Sequence, residues 1–221
     1  MGSEGPIPIK IHITGFKKFH GVPNNPTETI VSNLKGYIKR RGVPFSTRFN
    51  LASCTVLEAA GDGILSFFSN MLEDNGNGLL TDCSDSNNEQ VVWLHFGASA
   101  GSSKFFVERQ AINEASFLFP DEYGWQPQKL TIFSEDGGTY RTRQTTCPIE
   151  MIVKHLEQKG FDVAVSNDAD RFVCNYIYYH SLRFAEQRGH KSLFVHVPLF
   201  SKIDEDIQME FTASLLEALL Q

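Results

Sequence analysis

A three-layer α/β/α sandwich, with an open, mixed and mostly parallel sheet carrying helices on both faces, is the fold this 221-residue chain predicts. Two patterns point to it. Val91 to Phe96 and Leu193 to Val197 are short apolar runs rich in β-branched and aromatic residues, the pattern of strands buried on both faces. Between such runs stand segments with apolar residues at helical spacing, and strands alternating with helices build a sheet covered on both sides. A hydrophobic content of 41% over this length suits a single domain, expected over residues 1–221 with 1–7 a flexible tail and 73–90 a polar surface loop.

The elements follow in order. Ile7, Ile9, Ile11 and Ile13 alternate in a first strand that breaks at Gly15, after which Phe16 and Phe19 stand in a loop. Pro23 to Pro26 is turn material, and a helix starting at Thr27 to Glu28 gathers Ile30, Val31, Leu34 and Ile38 on one face and ends at Gly42. A strand near Ala52 to Leu57 and a helix from about Gly61 to Leu72 precede the polar stretch 73–90, rich in Asn, Asp, Ser and Gly. Beyond the Val91 strand, Pro120, Gly124, Pro127, Gly137 and Gly138 predict short strands and loops from Phe117 to Arg143. Cys147-Pro148 opens a helix with Ile149, Ile152, Val153 and Leu156 on one face and Gly160 past its end. A strand from Phe161 to Val165 leads through Asn167, Asp168 and Asp170, expected to supply turn and N-cap chemistry, into a helix that places Val173, Ile177, His180, Ser181 and Phe184 at helical spacing. After the Leu193 strand, a last helix aligns Ile207, Phe211, Leu215 and Leu219.

Charge and cysteine usage narrow the function. The net charge of −6 leaves no basic field for a phosphate backbone, and the largest basic cluster is Lys39-Arg40-Arg41, so nucleic acid is not an expected partner. No apolar run approaches the roughly 20 residues a membrane span needs, and the opening Met-Gly-Ser-Glu-Gly-Pro does not read as a signal peptide. Cys54, Cys83, Cys147 and Cys174 are irregularly spaced without a C-x-x-C pair, which predicts reduced thiols rather than a zinc site or disulfides, in a cytoplasmic protein without a metal.

Two nucleophiles compete. Cys174 falls in the first turn of its helix, where unpaired N–H groups and the positive end of the helix dipole favour a thiolate; the competing reading is a buried cysteine that fills space. Gly97-Ala98-Ser99-Ala100-Gly101 spells G-x-S-x-G directly after a strand, the elbow of serine α/β-hydrolases, or simply a small-residue loop that lets backbone approach something closely. A nucleophilic cysteine needs a base, and His196, near a strand end and before Pro198, is the best placed histidine; His95 and His12 sit mid-strand as core or solvent-facing residues. Glu108 is one candidate to orient the base, although a Glu-Arg pair such as Glu108-Arg109 is more often a solvated ion pair, and spacing does not decide among the carboxylates.

Thr14-Gly15-Phe16-x-x-Phe19, Asn25-Pro26, Glu108-Arg109-x-Ala111-Ile112-Asn113, Ser166-Asn167-x-Ala169-x-x-Phe172-Val173-Cys174-Asn175 and Phe194-Val195-His196-Val197-Pro198 occur in one order across residues 9–199. Together they resemble pyroglutamyl peptidase I, the pyrrolidone-carboxylate peptidase family of cysteine peptidases, and most of all its plant branch. The resemblance implies an α/β/α sandwich that releases N-terminal pyroglutamate from peptides without a cofactor, a homo-oligomer being compatible with it. It implies Cys174 as nucleophile, His196 as base and Glu108 as the orienting carboxylate. Phe16, Phe19 and Phe172 would form an aromatic pocket for the lactam ring, with Asn25 at a structural or ring-contacting position; a flat, uncharged lactam offers mainly apolar faces, one N–H and one C=O. The chain departs from the family pattern at Leu118, where the family carries an arginine, at Ala98 in the glycine-rich loop, and at Asp168-Ala169-Asp170-Arg171 before the cysteine. Those departures leave open a weak or silent homologue that binds N-terminally blocked peptides, and the G-x-S-x-G motif leaves open a serine hydrolase built on Ser99.

Overall fold

Residue parity decides which layer each strand feeds. In β1 (Ile9–Phe16), Ile9, Ile11 and Ile13 enter one apolar core, while Phe16 enters a second core on the opposite face of the sheet. A computed structural model of the protein describes residues 8–41, 49–74 and 89–221, so the expected tail 1–7, Gly42 and most of the polar stretch 73–90 lie outside the described residues. The first helix, α1 (Pro26–Arg41), buries Ile30, Val31 and Leu34, as the spacing predicts. Next come β2 (Phe49–Leu57) and α2 (Gly61–Asp74), which runs two residues into the stretch expected to be loop. Then follow β3 (Gln90–Ser99), β4 (Phe105–Glu108) and four short strands: β5 (Gln110–Ile112), β6 (Glu114–Ala115), β7 (Leu130–Thr131) and β8 (Thr142–Gln144). The chain closes with α3 (Ile149–Gln158), β9 (Val163–Ser166), α4 (Val173–Glu186), β10 (Lys191–Pro198) and α5 (Glu205–Leu219).

Six strands form the main sheet in the order β2-β1-β3-β10-β4-β9. Its first four strands run parallel, β4 is antiparallel to β10, and β9 is parallel to β4. The sheet is therefore mixed and mostly parallel, as expected. One core joins it to α1, α3 and α5 through Leu94, Phe96 and Val195 packed with Leu34, Leu156, Phe211 and Leu215. The other joins it to α2 and α4 through Trp93 and Phe194 packed with Ile64, Phe67, Ile177 and Tyr178. Burying the side chains of two such cores at about 25 cal/mol per Å² of apolar surface is the main force holding the three layers together. The remaining strands pair as β5-β8 and β6-β7.

Two expectations change here. The aspartates before α4 do not cap it: its N-cap is Phe172, with no side-chain cap bond. Asp168 instead accepts from the Asp170 N–H at 3.1 Å, and Asp170, at φ 68°, accepts from the Arg171 N–H at 2.6 Å, so these side chains are spent inside the preceding loop. The G-x-S-x-G segment is not a strand-to-helix elbow. Ser99 is still in β3, paired with Pro198, and the chain turns there into β4 without an intervening helix.

Candidate active site

Where β1, β3 and β10 end, the face covered by α4 collects the chemistry. Val195 and Val197 point into the α1 core, so His196 points the other way, towards α4; likewise Phe105 and Val107 are core residues and Glu108 faces with His196. Across the antiparallel β4-β10 pair Glu108 lies opposite Phe194, and its Oε1 reaches diagonally to Nδ1 of His196 at 2.8 Å. Glu108 is 1% exposed and its Oε2 is buried without a hydrogen-bond partner among the described residues. Arg109 turns outward to Glu150 at 2.8 Å and to Asn167 Oδ1 at 3.0 Å. The adjacent Glu108 and Arg109 are thus not an ion pair with each other, because neighbouring positions at a strand end face opposite ways.

Cys174 is a half-buried free thiol in the first turn of α4. Its sulfur stands close enough to His196 to act on the imidazole's charge. Burial lowers the imidazole's pKa, but the Cys174 sulfur and the Glu108 carboxylate outweigh it and hold it up to about 10. Beneath the sulfur is Gly97, where an added Cβ would come within 2.9 Å of Cys174 Sγ and 2.6 Å of the Phe194 ring. Gly97, which lies in β3 and not in a loop, is therefore there for a close approach, and what it admits is the thiol. No side chain caps α4, which leaves first-turn N–H groups available to an oxyanion at Cys174.

The expected pocket phenylalanines and the thiol belong to or pack against one apolar cluster. Phe16, 2% exposed, belongs to the same apolar cluster as Phe117, and half-buried Phe19, Phe172 and Cys174 pack against that cluster. The Phe19 and Phe172 rings stand 6.2 Å apart, and Phe117 meets Phe172 edge-on at 4.7 Å. Asn25 serves this wall from behind. Its Oδ1 accepts from the Thr27 N–H and hydroxyl and its Nδ2 donates to the Lys17 carbonyl, which fastens the loop carrying Phe19 to the start of α1.

Sequence reasoning missed Phe117, at the start of a Pro- and Gly-punctuated stretch expected to form short strands and loops, and it missed the role of Asn175. That asparagine, fully buried in a helix, accepts from the Ile112 N–H and donates to the carbonyls of Ile112 and Glu114, each at 2.8 Å, tying the first turn of α4 to β5 and β6. A buried amide next to the candidate nucleophile was the available signal. Leu118 is 79% exposed, and Arg171 is held by the carboxylate of Asp168 at 2.6 Å and the carbonyl of Asp170 at 2.7 Å. Among the described residues no cluster of ligands suited to a metal ion occurs, and no helix is long and apolar enough to cross a membrane.

Comparison with known proteins points the same way as this geometry. The family model described as pyroglutamyl peptidase matches residues 77–215. A pyrrolidone-carboxylate peptidase of Pyrococcus furiosus is 27% identical over 192 residues, covering 86% of this chain and 81% of that one. Its counterpart in Klebsiella pneumoniae is 32% identical over 187 residues, covering 84% and 76%. The crystalline structure of the Pyrococcus furiosus pyrrolidone carboxyl peptidase superposes with a TM-score of 0.75 at 25% identity, over 96% of this chain and 98% of that one.

Proposed function

The chain belongs to the pyroglutamyl peptidase family of cysteine peptidases, which remove N-terminal pyroglutamate, and from that premise we propose that Cys174, His196 and Glu108 are its catalytic triad. The observation that carries this assignment is one imidazole joined at Nδ1 to a buried carboxylate at 2.8 Å and placed beside a half-buried thiol at a helix start. Glu108 fixes the ring's orientation and balances the charge of its protonated form. A pKa raised to about 10 keeps His196 protonated at neutral pH, which suits an imidazolium facing a thiolate.

In this mechanism the Cys174 thiolate attacks the acyl carbon of the pyroglutamyl group, and the oxyanion is held by first-turn N–H groups of α4. His196 gives its proton to the departing amine, a thioester remains on Cys174, and His196, now neutral, draws a proton from the water that releases free pyroglutamate. Phe19 and Phe172 offer ring faces and edges to the flat lactam, and the buried Phe117 and Phe16 back them. We place the activity in the cytoplasm, a reading supported by the free thiols Cys54, Cys147 and Cys174.

A pyroglutamyl-coumarin amide tests the assignment. Iodoacetamide and Cys174→Ala are each expected to abolish its hydrolysis, whereas a sulfonyl fluoride and Ser99→Ala leave it intact. Loss of activity in Ser99→Ala with survival in Cys174→Ala would reject the triad.

A further inference from the structure

Beneath the site runs a chain of hydrogen bonds that the proposed mechanism does not use. Thr14 Oγ1 bonds His95 Nδ1 at 2.7 Å, His95 Nε2 bonds Ser181 Oγ at 2.6 Å, and Ser181 Oγ bonds Ser192 Oγ at 2.8 Å. All four side chains are essentially without solvent exposure. They come from four different elements, β1, β3, α4 and β10. Each stands at a fixed offset from a site residue on the same face of its element. Thr14 and His95 are two positions before Phe16 and Gly97, and Ser192 is four before His196, offsets that keep strand parity. Ser181 follows Cys174 by seven positions, about two helical turns on one stripe.

We propose that Thr14, His95, Ser181 and Ser192 act as a positioning clamp that sets how far along α4 Cys174 stands relative to Gly97 and His196. The apolar contacts of α4 with the sheet are non-directional and permit small sliding, whereas hydrogen bonds near 2.7 Å fix a helix against three strands at once. The clamp is also electrically silent. Burial lowers the His95 pKa to about 3, so the ring stays neutral and brings no charge beneath the sulfur. A neutral ring donates from one nitrogen and accepts at the other, and with hydroxyls at both ends the chain is satisfied in either polarity.

This inference rests on Cys174 and His196 being the reacting pair, and its test separates the two ideas. Ser181→Ala removes the central hydroxyl, Thr14→Val removes the terminal one while keeping the shape, and Thr14→Ser restores it. The readouts are kcat and KM on the pyroglutamyl-coumarin amide and the rate of iodoacetamide alkylation at Cys174, located by peptide mapping, at a temperature where each variant is folded. Expected is a kcat reduced about tenfold or more with KM changed by less than about twofold, alkylation altered in parallel, and recovery in Thr14→Ser. Leu215→Ala, in the opposite core, serves as the stability control, expected to lower Tm without changing kcat. The clamp is overturned if both hydroxyl deletions keep the wild-type kcat and alkylation rate, or lose no more than Leu215→Ala does at matched Tm. Should Ser181→Ala fail to fold, Thr14→Val carries the same decision. A wild-type protein inert towards the amide would reject the peptidase assignment, while the alkylation rates would still decide the clamp.

Discussion

At Gly97 the absence of one carbon sets the distance between a strand and the nucleophile. A Cβ there would stand 2.6 Å from the Phe194 ring and 2.9 Å from Cys174 Sγ, closer than packed atoms tolerate, so Gly97→Ala must push one of them away. Phe194 is fully buried between layers, and the half-buried thiol is the freer of the two. The expected result is a kcat lower by about a hundredfold with KM little changed, since a displacement of about 1 Å at a reacting atom costs that order. Steady-state kinetics with a thermal melt checks it, and a variant that melts normally and turns over at the wild-type rate would contradict the packing argument. At the same scale, Glu108→Gln keeps the shape but removes the charge that helps hold the His196 pKa up to about 10. The protonated general acid should then be lost at lower pH as pH rises, moving the alkaline limb of the kcat profile downwards in pH. An unmoved limb would assign that ionisation to another group.

At the scale of elements, α4 is the member that everything at the site touches, and it is pinned by side chains rather than by a cap. Asn175 ties its first turn to β5 and β6, and one turn on, the Tyr178 hydroxyl donates to the Glu108 carbonyl at 2.8 Å. Replacing Asn175 by Ala leaves one N–H and two carbonyls without these partners, an expected loss of at least about 3 kcal/mol, because each of the three orphaned groups costs about 1–3 kcal/mol. Hydrogen exchange should show the loss in β5, β6 and the first turn of α4 before the β1-β3-β10 sheet. Uniform loss of protection across the sheet would mean that Asn175 holds the whole fold instead.

For the whole molecule, buried histidines set the response to acid. Burial lowers the pKa of His95 to about 3; burial with Lys10 and His190 lowers His12 to about 4, and burial with Arg183 lowers His180 to about 4. A folded pKa below the ordinary 6.5 means the unfolded chain binds protons first. Their contribution is therefore fully present above 6.5 and is lost as pH falls towards 4. His196 works in the opposite sense: its contribution is present below 6.5 and is lost as pH rises towards about 10. Tm should accordingly peak near neutrality and fall on both sides. His180→Phe should flatten the acid side, because it removes one of these titrating rings, whose Nε2 is buried with no hydrogen-bond partner among the described residues, while stacking on Phe68 is kept. A Tm insensitive to pH between 4 and 6.5 would refute this.

Periodicity and local chemistry in the sequence determined the layers and much of the candidate site. Alternation in Ile9, Ile11 and Ile13, the continuous apolar run at Val91 to Phe96 and the stripes of the helices depend only on neighbours a few residues away, so the α/β/α order was legible in them. For the same reason Cys174 could be placed in a first helical turn and His196 at a strand end. Tertiary structure decided what joins them. Glu108 and His196 are 88 positions apart, and their bond exists because β4 runs antiparallel beside β10, a choice of neighbour that no local pattern encodes. It also decided that the aspartates before α4 close a loop instead of capping the helix, that Ser99 stays in its strand, and that Phe117 turns inward against Phe172. Each of these depends on which distant residue fills the adjoining space, and close packing settles that only when the layers have come together.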